Sequence, residues 1–176
     1  MKPLGSIESA SNDVFKDARN LLERLRDHTV HEPITVAEAI KRLNHIRQEI
    51  YESLNQIQHE YLTIQAAKWL LNNDPTLEGA LWSWNPRQTG GCDEPDLVAF
   101  RKEINLISAE VTTSLAPVGV IDSRMRDTLT KLSQMKGKKY YFVVSEEMRQ
   151  RAQTKVSKSG WEIKIVLIND KDTFLK

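Results

Sequence analysis

The stretch "DEPDLVAFRKEINLISAEVTTS", residues 93–114, decides the reading of this chain. It splits into two runs of strand character, "PDLVAFRK" and "INLISAEVTTS", around a short charged break. Side chains alternate across a strand, so in the second run Leu106, Ser108, Glu110, Thr112 and Ser114 share one face. Ile107, Ala109, Val111 and Thr113 share the other. Glu110 and Thr112 therefore stand side by side on the more polar face. Asp96 opens the first run after Pro95, and pairing of the two strands brings Asp96 and Glu110 to one end of a sheet. Two neighbouring carboxylates repel unless a cation lies between them, and a hard divalent ion such as Mg²⁺ takes oxygen ligands of this kind.

Outward from this stretch the period changes. Upstream, Val36, Leu43, Ile50, Ile57, Ile64 and Leu71 recur every seven residues, with Ala39, Ile46, Ser53, Glu60 and Ala67 on the adjoining seam. Ile40, Leu54 and Tyr61 widen the stripe. Thr35 and Glu38 form a capping box, so one helix is expected over 35–72, roughly 57 Å long at about 1.5 Å per residue. A helix of that length either kinks or sends its first half out to pack on another helix or a second copy. Glu60 sits on its apolar seam, where a charged group is costly unless it is paired or binds a metal. Val14, Ala18, Leu21, Leu22 and Leu25 predict an earlier helix over 13–27, and residues 1–12 read as loose.

"GALWSWN" puts Ala80, Trp82 and Trp84 on one side of a strand, with packing the favoured role for the tryptophans. Downstream, a helix over roughly 122–136, the apolar strand "KKYYFVVS", a helix over 146–160 and the strand "WEIKIVLI" complete the chain. The order α-α-β-β-β-α-β-α-β favours an α/β fold with a mixed sheet covered by helices on both faces.

The bulk properties allow one domain of 176 residues, with or without an extension, at a formal net charge of +1. No global field draws it to nucleic acid, so any such site must be local. Cys92 is the only cysteine, which excludes an internal disulfide framework and a Cys-based zinc site. No apolar run suits a signal peptide or a membrane span, so a cytoplasmic location is expected. His28, His31, His45 and His59 lack metal-ligand spacing and read as surface or packing residues. Arg87 and Gln88, in the loop "PRQTGGCDE", offer base-edge hydrogen bonds, and Arg124, Arg126 and Lys131, joined by Lys136, Lys138 and Lys139, offer a phosphate path.

An inward Glu on a helix, then strands carrying "PD" and "ExT", then a helix and a further strand, resemble the PD-(D/E)xK nuclease superfamily. The resemblance rests on "HEYLTIQAAKWLL", "EPDLVAF", "ISAEVTTS" and "KLSQMKGKKYYFVVS", and covers roughly residues 45–168. It implies a restriction-endonuclease-like core over 45–176 with a helical extension over 1–44. It implies Mg²⁺ (or Mn²⁺) held by Asp96 and Glu110, assisted by Glu60, and hydrolysis of DNA phosphodiester bonds in a restriction or defence setting. Pairing of two copies through the N-terminal helices would bring two sites to two strands. The departure is Thr112, which stands where the superfamily has a lysine that neutralises the phosphate. Lys102 is a poor substitute, about 20 Å along the strand from Asp96 at roughly 3.3 Å per residue. Lys68 and Lys131 lie on flanking helices and nothing in the sequence selects either. The alternative is a module that keeps the fold without cleavage and binds nucleic acid or a partner subunit.

Overall fold

The computed structural model describes residues 1–86 and 94–168. Its helices are α1 (Ile7–Asp27), α2 (Val36–Asn73), α3 (Val120–Ser133) and α4 (Glu146–Ser159). Its strands are β1 (Lys2–Pro3), β2 (Leu81–Trp84), β3 (Leu97–Arg101), β4 (Ile104–Val111), β5 (Lys138–Val143) and β6 (Ile163–Leu167). They form one sheet in the order β1-β2-β3-β4-β5-β6. The pairs from β1 to β4 are antiparallel, and β4-β5 and β5-β6 are parallel. The fold is α/β with a mixed sheet, as the order of elements predicts.

The two parallel pairs are joined by α3 and α4, and right-handed crossovers put both helices on the same face. There Met125, Leu129 and Leu132 of α3 and Met148, Ala152 and Val156 of α4 bury against Tyr141, Val143 and Ile163. The opposite face belongs to α2. Leu62, Ile64, Ala66, Ala67 and Leu70 are almost wholly buried against Leu97, Ile107, Ala109, Tyr140 and Phe142. Two adjacent alanines let the helix lie close to the strands. Trp84 is buried in this layer and Trp82 packs at its margin, the role favoured for both. The strand parity in β4 holds: Ile107, Ala109 and Val111 join the layer under α2.

Residues 1–12 are not loose. Lys2–Pro3 pairs with Ser83–Trp84 at the sheet edge, Leu4 is buried, and α1 begins at Ile7 because Ser6 caps it, accepting the Ser9 N–H at 3.0 Å. The small polar residues that suggested a loose segment are the cap and first turn of this helix. Leu4, Ala10 and Val14 belong to the same buried cluster as α2 and the sheet. The N-terminal segment thus shares the core of the rest, and residue 44 falls inside α2.

The long helix runs unbroken for 38 residues. Its C-terminal half lies on the sheet and its N-terminal half packs on α1. Arg24 donates to Ser53 Oγ, and Arg42 donates to the backbone carbonyls of His28 and His31. These contacts use only one side of the helix. On the other side Val36, Ile40, Leu43, Tyr51 and Leu54 remain exposed, with Leu43 at 64%. Among the described residues no helix is long and apolar enough to cross a membrane.

Two glycines test how the β5 end is built. Gly137 (φ 77°) joins α3 to β5, and a Cβ there would lie 2.7 Å from the Leu106 backbone. Gly160 (φ 66°) ends α4 with open space around it. Gly160→Ala should therefore cost about 1 kcal/mol of unfolding free energy from backbone strain alone. Gly137→Ala should cost roughly 2–4 kcal/mol, because the strand must also shift. Urea unfolding of both variants checks the difference; equal losses would show that β4 yields freely at Leu106.

Candidate functional site

Asp96 and Glu110 are buried and lie together at the end of β3 and β4 nearest the α3 N-terminus. The backbone makes this arrangement. Leu97 pairs with Ala109, so Asp96 stands level with Glu110 and beside Val111. The Val111 N–H donates to Asp96 Oδ2 at 2.8 Å, and Asn85 N–H donates to the Asp96 carbonyl at 2.9 Å. Both carboxylates border a cavity of about 210 Å³. Its wall carries the hydroxyls of Thr112, Thr113, Ser114, Thr128 and Tyr141, and the guanidinium of Arg124.

Two buried carboxyl oxygens, Asp96 Oδ1 and Glu110 Oε1, have no hydrogen-bond partner. A buried acceptor left unmade costs about 1–3 kcal/mol, so such a pair marks a place built for something other than stability. Burial first, and then the negative charge of Asp96, push the Glu110 carboxyl up to about 9; the charge of Lys131 pulls the other way. Glu110 thus holds a proton at neutral pH, with its carboxyl beside that of Asp96. The acids do not share a site as two free charges.

His59, read from sequence as a surface or packing residue, is part of the site. Its Nε2 lies 3.3 Å from Asp96 Oδ2, and its side chain is 20% exposed. Burial alone would lower its pKa, but the hydrogen bond to Asp96 and the charges of Asp96 and Glu60 outweigh it and leave His59 raised. No spacing rule could have found it, because its partner is 37 residues away on another element. The available signal was its neighbour. His59 precedes Glu60, the acid noticed on the apolar seam, and α2 turns His59 to the cavity instead.

Glu60 itself is buried but lines a different opening, with Asp13, Lys16 and Asn20 of α1 and with Trp84. Its Oε1 accepts from Gln56 Nε2 at 2.9 Å. The expected convergence of three acids is therefore corrected to two acids and a histidine, with Glu60 acting on the site through its charge on His59. The heptad seam points Glu60 at α1, the helix the seam packs on.

Thr112 lines the cavity beside Glu110, but its hydroxyl is engaged: it accepts the Ser114 N–H at 3.3 Å and hydrogen-bonds the Tyr141 phenol. Tyr141 is raised well above the usual tyrosine range, chiefly by burial. Arg124 reaches the cavity, and Lys131 reaches Glu110 electrostatically. Lys138 does not join them. It pairs with Asp74 at 2.7 Å, at the opposite end of β5, where Lys138 stands level with Ile107. Arg87 and Gln88 lie outside the described residues. Among the described residues no three His, Cys, Asp or Glu side chains form a metal cage. A pair of carboxylates still suits Mg²⁺, which keeps several waters and uses one or two carboxylates.

The buried dyad makes a pH prediction. In the unfolded chain Glu110 releases its proton near its ordinary pKa of 4.5, whereas the folded chain keeps it up to about 9. Between those values the native state binds more protons, so stability falls as pH rises, by up to roughly 1.4 kcal/mol per pH unit from this group. Denaturant unfolding without divalent cations at pH 5, 7 and 9 should show this decline, and Glu110→Gln, which cannot ionise, should flatten it. A wild type as stable at pH 9 as at pH 5 would refute the raised Glu110 pKa.

The chain matches no family model, no curated protein and no solved structure.

Proposed function

We propose that the chain is a divalent-cation-dependent endonuclease that hydrolyses DNA phosphodiester bonds, with a restriction-endonuclease-like fold. The single observation behind this reading is the pair of unpartnered carboxyl oxygens, Asp96 Oδ1 and Glu110 Oε1, at one cavity on adjacent strands. The placement on strands β3 and β4, after a helix and before a β-α-β crossover, agrees with the resemblance to the PD-(D/E)xK superfamily. Asp96 and Glu110 would hold Mg²⁺ (or Mn²⁺), which supplies Lewis acidity toward a phosphoryl oxygen and a more acidic bound water.

The remaining work falls to the chain's own groups. His59 and the Val111 N–H both bind Asp96 Oδ2, which leaves Oδ1 as the oxygen available for a ligand. Arg124 carries a charge to the mouth of the cavity, where a phosphate would be attracted. The hydroxyls of Thr113, Ser114 and Thr128 are donors for non-bridging oxygens. A second reading is favoured by Thr112, which brings no charge: the module binds nucleic acid or a partner subunit without cutting. Its DNA affinity would survive the loss of either acid.

The deciding experiment incubates plasmid and linear DNA of varied sequence with Mn²⁺ or Mg²⁺, beside calorimetric titration of Mn²⁺. Wild type should bind the ion and nick or cut DNA. Asp96→Ala and Glu110→Ala should each reduce cleavage by at least about 10²-fold while remaining folded. Cleavage unchanged in both variants would remove the site. Ion binding absent from wild type, with DNA still bound, would leave the binding module.

We further propose that two copies pair through the exposed face of α2. The seven-residue repeat supplies apolar residues on more than one side of this helix, and α1 covers only one. The stripe of Val36, Ile40, Leu43 and Leu54 can meet its own copy isologously. Light scattering after size exclusion should give a dimer at micromolar concentration and a monomer for Ile40→Asp/Leu43→Asp. A monomeric wild type at every concentration would exclude the pairing.

A further inference from the structure

The two edges of the sheet are finished differently. β1 is two residues long and carries Pro3, which blunts that edge. β6 is a five-residue strand with no proline and no break in its register along β5. The Ile168 N–H donates to the Val143 carbonyl at 2.9 Å. Strand parity then turns the backbone groups of Lys164 and Val166 toward β5 as well, and those of Ile163, Ile165 and Leu167 outward. Among the described residues none pairs with that outer edge. Lys164 is the one charge in the strand, and it does not screen the edge, because its Nζ lies 4.9 Å from the Trp69 ring on the α2 face. On the other face α4 stands back from the edge and leaves a groove of about 720 Å³. Arg149, Gln153, Thr154, Ser157 and Lys158 of α4 form its wall, and Ile165 of β6 borders it on the strand side. Among the described residues no carboxylate lines this groove.

We propose that the groove between β6 and α4 docks an extended acidic segment of a partner protein, which adds to the sheet as a further strand beside β6. The surface is independent of the nuclease reading, since β6 is separated from β4 by β5. An added strand satisfies the outward N–H and C=O groups of Ile163, Ile165 and Leu167. Its alternate side chains then face α4. Arg149 and Lys158 are nine residues apart, roughly 13 Å along a helix at about 1.5 Å per residue, and four residues of a strand span about the same length at roughly 3.3 Å each. The fitting segment therefore carries acids four residues apart, with a small polar residue midway against Gln153 and Thr154. Arg149 binds Glu146 at 2.7 Å, but both side chains are exposed, and such a pair is weak enough for a peptide carboxylate to replace. Charge selects against a second copy at this edge. Two β6 edges paired about a twofold axis would turn the Arg149 end of each α4 toward the Lys158 end of the other, and like charges repel.

The test uses fluorescein-labelled peptides and the full chain. The probes are GVEVTVEVG, its lysine counterpart GVKVTVKVG, and two N-methylated forms of the first, one methylated on the residues that carry Glu and Thr and the other on the valines. Anisotropy is measured for wild type, for Arg149→Glu/Lys158→Glu, and for Lys41→Glu/Arg47→Glu on the exposed side of α2 as the charge control. Thermal melts confirm that each variant is folded. Wild type should bind GVEVTVEVG at least about tenfold tighter than GVKVTVKVG. Arg149→Glu/Lys158→Glu should lose at least about tenfold in affinity for it, while the α2 control stays near wild type. One pattern of methylation should abolish binding and the other should spare it, because only one edge of an added strand bonds β6. No binding of the acidic peptide up to about 1 mM overturns the proposal. So does a lysine peptide that binds as tightly, or a pair of methylated forms with equal effect. A short oligo(dT) that binds through Arg149 and Lys158 where the acidic peptide does not would give the groove to nucleic acid instead. Light scattering covers the remaining occupant: a dimer that survives Ile40→Asp/Leu43→Asp and that the peptide does not dissociate gives the edge to a second copy and rejects the peptide.

Discussion

The hydrogen bond from the Val111 N–H to Asp96 Oδ2 is the constraint on which the site depends. It binds the carboxylate that precedes β3 to the last residue of β4, so the two strands end together. It also uses one Asp96 oxygen on the backbone and turns the other toward the cavity. Glu110, one residue before Val111, is carried to the same place. Without this bond Asp96 would be an ordinary turn residue after Pro95. With it, two carboxyls are buried side by side at the boundary between the layer under α2 and the layer under α3 and α4.

That boundary explains the electrostatics. Apolar packing on both sides removes water, and desolvation is the largest influence on Glu110. A second charge is disfavoured at such a place, so Glu110 holds its proton well above the usual carboxylate range. His59 from the α2 side and Arg124 from the α3 side then border the same cavity. The charges are arranged around the dyad by two separate elements, each positioned by its own core contacts. Asp122 contributes at a distance: Arg151 and Lys155 hold it well below the usual carboxylate range and so join α3 to α4. Lys155 is buried and Arg151 is exposed, and together they brace α3 against α4.

The long helix has two halves with different tasks. Its C-terminal half is enclosed by sheet, β1 and α1, which is why Leu62, Thr63 and Ile64 are all buried although they point in three directions. Its N-terminal half has only α1 as a partner. The seven-residue repeat runs through both, and the repeat alone does not distinguish a helix wrapped by a core from one that awaits a second helix. Leu71, a member of the repeat, is 41% exposed, while Ala66, outside it, is fully buried.

Local periodicity was enough to determine the helices, the strands from β2 onward and their order, though not β1 or the first turns of α1, because each depends on residues close in the chain. The parity of β4, the cap at Thr35 and the apolar run of β5 are all of this kind, and so are Asp96 and Glu110, which a strand pair brings together by register. The pairing of β1 with β2, the turning of Glu60 to α1, and the arrival of His59 at the dyad were decided only by the tertiary structure. Each of these joins residues far apart in the chain across two layers, and which face of a helix meets which layer is set by total packing rather than by spacing. A two-residue strand has no period to read, and a histidine off the apolar stripe looks solvated until the sheet edge that covers it is in place.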